Sequence, residues 1–229
     1  MKTIGLIGGM SWESSLEYYR IINEEVKNRL GRTHSAKSIM ISVDFEEIEK
    51  LQNAEKWDEM SGIMVDIARK LELAGADCIV ICTNTMHKLA DAVEKAVNIP
   101  LIHIADATAR VIKMNNINKI GLLGTKYTME QDFYKGKLDS HDLKVIIPED
   151  DDRNTVHDVI YNELVLGEIR DDSILKYVII IDKLKNRGAQ GVILGCTEIG
   201  LLIKNKDSNL KVFDTTYLHA IAAVDFALE

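Results

Sequence analysis

The chain predicts an α/β protein of two similar lobes, each a mainly parallel sheet flanked by helices, related by a pseudo-two-fold with the site in the cleft between them. Three observations carry this expectation. Short apolar runs alternate with longer segments of helical period, the pattern of βαβ units. Thr3-Ile-Gly-Leu-Ile-Gly-Gly9 resembles Lys119-Ile-Gly-Leu-Leu-Gly-Thr125, 116 positions later. Gly75-Ala-Asp-Cys-Ile-Val-Ile-Cys-Thr-Asn-Thr85 resembles Gly188-Ala-Gln-Gly-Val-Ile-Leu-Gly-Cys-Thr-Glu198, 113 positions later. Strand-to-helix junctions share some likeness in any α/β protein, but two similar offsets in the same order point to duplication.

Taken in order, the apolar runs place strands at Thr3–Ile7, Ser38–Val43, Cys78–Ile81, Leu101–Ile104, Ile120–Leu123, Lys144–Ile147, Gly191–Leu194 and Lys211–Phe213. Helical period places helices at Ser14–Arg29, Trp57–Ala74, Lys88–Ala96, Met129–Leu138, Thr155–Leu166 and Ser173–Arg187. Gly75 and Gly188 stand where a helix C-terminus wants a left-handed residue. Ser14 with Glu17 fits a capping box. Pro148 to Asp152 reads as a solvated connection ahead of the Thr155 helix, its acids favoured by the helix dipole. The expected division is residues 1–104 with 213–229 as the N-terminal lobe and 105–212 as the C-terminal lobe.

At 229 residues with 46% apolar and 28% charged side chains, the chain has the composition of a globular protein with a sizeable core. Its net charge of −8 argues against nucleic acid, whose binders neutralise phosphates with Lys and Arg. No run approaches the roughly 18 apolar residues of a membrane span. The first apolar run is too short and wrongly flanked for a signal peptide. Three cysteines, an odd number, suit a reducing cytoplasm.

Aligning Gly75 with Gly188 sets Thr83 against Cys196, both just past a strand end, where open α/β sheets hold ligands. Lobes facing each other would bring Thr83 and Cys196 to one cleft from opposite sides, an arrangement suited to chemistry on two faces of one carbon. Asn84 and Thr85, and likewise Thr197 and Glu198, are short polar groups able to orient a carboxylate or ammonium. Glu198 either binds an ammonium or begins the following helix. Gly8-Gly9-Met10-Ser11 lacks the spacing of a nucleotide cradle; its backbone either holds a carboxylate or simply permits a tight turn. Cys78 and Cys82 share a strand face, and Cys78 reads as core. His87 reads as a capping or surface residue, with support of the Thr83 segment the alternative. His103 and Asp106 suit structural hydrogen bonds. No histidine and cysteine spacing suggests a metal.

Gly8-Gly-Met-Ser-Trp-Glu-Ser14, Cys82-Thr-Asn-Thr-Met-His87 and Gly195-Cys-Thr-Glu-Ile199 together resemble the aspartate/glutamate racemase family, along nearly the whole chain. The resemblance implies a cofactor-independent amino-acid racemase, without pyridoxal phosphate, commonly a homodimer. One cysteine thiolate would remove the α-proton while a thiol opposite supplies another, and a thiol's pKa near 8.5 makes both protonation states accessible. In the family pattern a cysteine directly precedes Asn-Thr. Here that position is Thr83, and Cys82 sits one residue earlier, on the other face of the strand. The expected catalytic pair is therefore Thr83 and Cys196, an asymmetric arrangement in which Cys196 abstracts and the Thr83 side protonates. Met10, Ser11, Gln52, Asn84, Thr85, Thr197 and Glu198 are the expected substrate-binding residues. Some relatives grip a distal carboxylate with an arginine, but none occurs between Arg32 and Arg69, and Gln52 makes no bidentate ion pair. Relatives that decarboxylate malonates, racemise hydantoins or isomerise maleate are the nearest alternatives, and a weakly catalytic amino-acid-binding protein is another.

Overall fold

In the computed structural model, which describes residues 1–229, the seven strands form two parallel sheets, ordered β2-β1-β3 and β5-β4-β6-β7. The chain divides into two compact units, one of residues 1–103 with 219–229 and the other of residues 104–218.

The first unit runs β1 (Ile4–Gly8), α1 (Trp12–Leu30), β2 (Ser38–Ser42), α2 (Phe45–Asn53), α3 (Trp57–Leu73), β3 (Cys78–Ile81) and α4 (Ala90–Ala96). Central strand β1 and its neighbour β3 are buried along their whole lengths, which is why they read as unbroken apolar runs. Alternate side chains feed two clusters. Ile4, Leu6, Cys78, Val80 and Cys82 pack with Tyr18, Ile22 and Val224. Ile7, Ile79 and Ile81 pack with Met60, Met64 and Leu71.

The second unit runs α5 (Ile104–Met114), β4 (Lys119–Gly124), α6 (Lys126–Glu130), α7 (Asp132–Asp139), β5 (Lys144–Ile146), α8 (Asp150–Asn162), α9 (Asp171–Asn186), β6 (Gly191–Gly195), α10 (Ile199–Leu202) and β7 (Lys211–Asp214). Helix α11 (Thr215–Leu228) begins there and carries the chain back to the first unit. One continuous core, from Ile104 to Phe213, surrounds the second sheet.

The sheet registers reproduce the repeat seen in the sequence. Gly5 stands opposite Ile79 in the first sheet, and Gly121 opposite Val192 in the second. Those pairs are the ones the offsets of 116 and 113 superimpose. The helix ends repeat too. Gly75 and Gly188 both have φ of +92°, and each is followed by an alanine whose N–H reaches back to a helix carbonyl, Ala76 to Leu71 and Ala189 to Leu184, both at 3.0 Å.

Four expectations need correction. Of Leu101–Ile104, only Leu101 bridges to Ile79, and Ile104 already opens α5. Of the Pro148–Asp152 stretch only Pro148 and Glu149 lie ahead of the helix, because Asp150, Asp151 and Asp152 already form the first turn of α8, where the dipole favours them. The Met129–Leu138 segment breaks at Gln131 into α6 and α7. The Lys88–Ala96 helix begins as a 3-10 turn over Thr85–Leu89. No helix is long and apolar enough to cross a membrane.

Candidate active site

In the first unit, the C-terminal ends of β1 and β3 lie side by side, Ile7 opposite Ile81. The chain leaves β1 through Gly8-Gly9-Met10-Ser11. Gly9 has φ of +91°, and a Cβ there would stand 2.3 Å from the Val43 carbonyl oxygen, so no other residue fits. Its N–H donates to Ser15 Oγ at 2.7 Å, and that hydroxyl donates to the Ser11 carbonyl at 2.9 Å. The first turn of α1 thereby clamps the loop that precedes it.

Ser11, not Ser14, is the N-cap of α1: its Oγ accepts the Ser14 N–H at 3.3 Å. The expected capping box is therefore displaced. Ser14 Oγ instead donates to the Cys82 carbonyl at 3.0 Å, and Glu17 pairs with Arg20 at the surface at 2.7 Å. That Ser14 bond ties the β1 loop to the end of β3.

Beyond β3 the backbone bends sharply, the Thr83 N–H donating to the Ile81 carbonyl at 2.9 Å. Cys82 stays on the apolar face with Cys78 and Val80, and burial pushes its thiol well above the usual range. Thr83, one residue on, leaves that face and is nine-tenths buried, followed by buried Asn84 and Thr85. His87 is not a surface residue. It is buried, and its Nδ1–H donates to the Thr83 carbonyl at 2.8 Å. Its ring lies edge-on to His103 at 4.7 Å and to His219 at 5.5 Å between centroids. His219 accepts the Tyr18 hydroxyl on Nδ1 at 2.7 Å and donates from Nε2 to the Ile102 carbonyl at 2.5 Å. Those bonds fix a neutral tautomer, and burial brings its pKa down to about 3.

In the second unit, β6 ends at Gly195 and delivers Cys196, the counterpart of Thr83. Cys196 Sγ–H donates to Glu198 Oε2 at 3.0 Å, and Thr197 Oγ1–H donates to the same oxygen at 2.8 Å. Burial, reinforced by the Glu198 charge, holds the thiol well above its ordinary range, so the resting group is S–H. Glu198 stands at the start of α10 and also touches sulfur, a contact that neither sequence-level reading anticipated. Beside this strand end, Thr215 Oγ1 donates to the Leu194 carbonyl at 2.7 Å.

The expected residues therefore gather in two groups. Met10, Ser11, Thr83, Asn84 and Thr85 lie on neighbouring loops at the C-terminal edge of the first sheet. Gln52 is buried on α2, the helix that follows β2. Cys196, Thr197 and Glu198 are contiguous at the edge of the second. Ser14, Ser15 and His87 complete the first group. Motif reading took Ser14 only as a helix cap and did not single out Ser15, because the role of both depends on where α1 begins. Asp106 belongs to neither group: its carboxylate is shared by His141 at 2.7 Å and Lys137 at 3.1 Å.

The sequence profile of the Asp/Glu/hydantoin racemase family matches residues 7–223. A crystal structure from Yersinia pestis, described as a candidate Asp/Glu racemase, is 55% identical and covers 100% of both chains with a TM-score of 0.94. An aspartate racemase homologue from Pyrococcus horikoshii is 36% identical, again over 100% of both chains, with a TM-score of 0.88. The broad-specificity amino-acid racemase RacX of Bacillus subtilis is 33% identical over 89 residues, 39% of each chain. The repeated sheets, the paired strand ends and these likenesses agree: the chain belongs to the Asp/Glu/hydantoin racemase family, and it is an isomerase of the racemase class.

Proposed function

We propose that the protein racemises an acidic amino acid, aspartate or glutamate, without a cofactor, using Cys196 and Thr83 as the groups that exchange the Cα proton. One observation carries the reading. Thr83 and Cys196 each stand two residues beyond equivalent register pairs, Ile7 with Ile81 and Leu123 with Leu194, and each is followed by polar side chains. Inversion by deprotonation needs a base on one face of a planar carbanion and an acid on the other.

The Cys196 thiol, held as S–H against Glu198 Oε2, gives its proton to solvent as pH rises, and the thiolate so formed takes the substrate's Cα proton. The Thr83 hydroxyl gives its proton to the opposite face of the carbanion as it takes another from solvent. Negative charge gathering on the substrate carboxylate is met by donors among Ser11, Asn84, Thr85 and Thr197. Met10 and Gln52 complete the binding residues. An alcohol is a far weaker base than a thiolate, so the enantiomer presenting its proton to Cys196 is much the better substrate.

Single enantiomers in heavy water test this. The expected result is Cα deuterium incorporation accompanied by inversion for aspartate or glutamate, with unequal turnover from the two hands. Equal turnover from both, or full activity in Cys196→Ala, would overturn the assignment. Ligand binding with no exchange at Cα would exclude racemisation of that substrate altogether.

A further inference from the structure

Two side chains far apart in the sequence converge on the backbone around Thr83. Ser14, from the first turn of α1, donates to the Cys82 carbonyl at 3.0 Å, and His87, from the 3-10 turn, donates to the Thr83 carbonyl at 2.8 Å. With the Thr83 N–H on the Ile81 carbonyl at 2.9 Å, both peptide groups flanking the Thr83 Cα are pinned. The two donors are only 1% and 3% exposed, so water does not compete for either bond. The rings of His103 and His219 back the imidazole, at 4.7 and 5.5 Å between centroids. Fixed flanking peptides fix the direction of the Cα–Cβ bond, and a β-branched side chain then has few χ1 wells left. No side chain of the first unit bonds the Thr83 hydroxyl itself, so its aim is set through the backbone.

The second unit shows that a junction of this kind folds without such donors. The offset of 113 sets Gly200 against His87, and a Cβ there would stand 2.5 Å from Asp214 Oδ2. The offset of 116 sets Glu130 against Ser14, and Glu130 is exposed and pairs with Arg153 at 2.9 Å. Cys196 is held differently, at the sulfur, by Glu198 at 3.0 Å. The two buried donors therefore occur at the strand end that carries a hydroxyl and have no counterpart at the one that carries a thiol. A misplacement of about 1 Å can cost roughly 10²-fold in rate, and the Thr83 hydroxyl has no direct bond to prevent one.

We propose that Ser14 and His87 are positioning residues for Thr83, acting through its two flanking carbonyls to aim the hydroxyl that reprotonates the carbanion. This inference rests on the assignment of Thr83 as the proton donor.

Single enantiomers in heavy water separate positioning from folding. A carbanion formed by Cys196 has two fates. It takes deuterium back on the same face, once the thiol has exchanged with solvent, or it is captured from the Thr83 side with inversion. In His87→Gln the amide nitrogen lies where Nε2 was, and the Thr83 carbonyl loses its donor; in His87→Asn the amide nitrogen lies where Nδ1 was. His87→Gln and Ser14→Ala should each raise the ratio of labelled, uninverted substrate to inverted product by roughly tenfold. His87→Asn should return that ratio to the native value. Plain destabilisation would lower both products together and leave the ratio alone. Ser14→Ala, which removes one oxygen and no ring, decides the matter if His87→Gln does not fold. A native ratio in either variant would overturn the proposal, as would His87→Asn behaving like His87→Gln. A ratio that Thr83→Ala itself leaves unchanged would overturn the catalytic role of Thr83, and this inference with it.

Discussion

The two units share a strand register yet finish it with opposite electrostatics. In the second, Cys196 lies against the Glu198 carboxylate, which holds its proton in place. In the first, Thr83 rests on His87, which adjoins His103 and a His219 kept neutral by burial. One end carries a group that gains a negative charge only when pH rises; behind the other, across His87, lies His219, which gains a positive charge only when pH falls. A duplicated scaffold has thus been differentiated by single side chains at matched positions, while strand pairing and helix-end geometry stayed the same.

The largest expected effect comes from removing the sulfur. General acid–base groups contribute about 10²–10⁴-fold to rate, so Cys196→Ala should lower racemisation by roughly 10³-fold, with Tm little changed. Loss of Cα deuterium exchange, measured by mass shift, checks it. Thr83→Ala should cost roughly 100-fold, because the opposite face then depends on unassisted solvent. Thr83→Cys should make the two strand ends more alike and raise turnover of the poorer enantiomer by about tenfold. If Thr83→Cys leaves the ratio between enantiomers unchanged, the asymmetry does not originate at this residue.

The legible parts of the molecule are those whose physics is local. Central strands buried on both faces announce themselves as apolar runs, and Gly75 and Gly188 mark helix ends because only a left-handed residue serves there. Helix α2 escaped notice because the acidic run from Asp44 to Glu49 masks the sparse stripe of Phe45, Ile48 and Leu51. Helix α11 lacks a polar face to give it periodicity, its apolar residues running almost unbroken from Tyr217 to Leu228. At the site, residue identities were readable from motifs, but contacts between neighbours were not. Whether Glu198 reaches sulfur depends on how the chain turns after β6, and the burial of His87 depends on a 3-10 turn. Sheet edges are likewise invisible from one strand: Lys144 guards the short edge strand β5, whereas β2 has no such charge, a contrast that emerges only once strand order is known.

The histidine beneath the first unit gives the comparison a pH signature. His219 titrates near 6.5 when unfolded and at about 3 when folded, so the unfolded chain binds the extra proton between those values. Its contribution is complete above pH 6.5 and is lost as pH falls towards 3. By pH 5 the loss should reach about 2 kcal/mol, measurable as a falling urea midpoint. Cys196 acts in the opposite sense: its raised pKa adds stability below the ordinary thiol range and withdraws it as pH climbs. His219→Gln should flatten the acid slope while leaving the alkaline one in place. If the acid slope persists unchanged, the buried histidine is not its source.

Glu198→Gln is the smallest change and the one that separates the roles of that side chain. Gln keeps the shape and an oxygen able to accept the Cys196 S–H, but it removes the charge that opposes thiolate formation. The thiol pKa should therefore fall, and the limb of the rate profile that rises with pH should move to lower pH by about one unit, a roughly tenfold gain at a fixed pH on that limb. A carboxylate that gripped the substrate ammonium would behave differently: KM would rise and the limb would stay where it was. A residue that merely starts α10 would move neither. Because both shifts are read from one set of pH-dependent kcat and KM values, the variant tests whether the second unit differs from the first through the charge beside its sulfur or only through the sulfur itself.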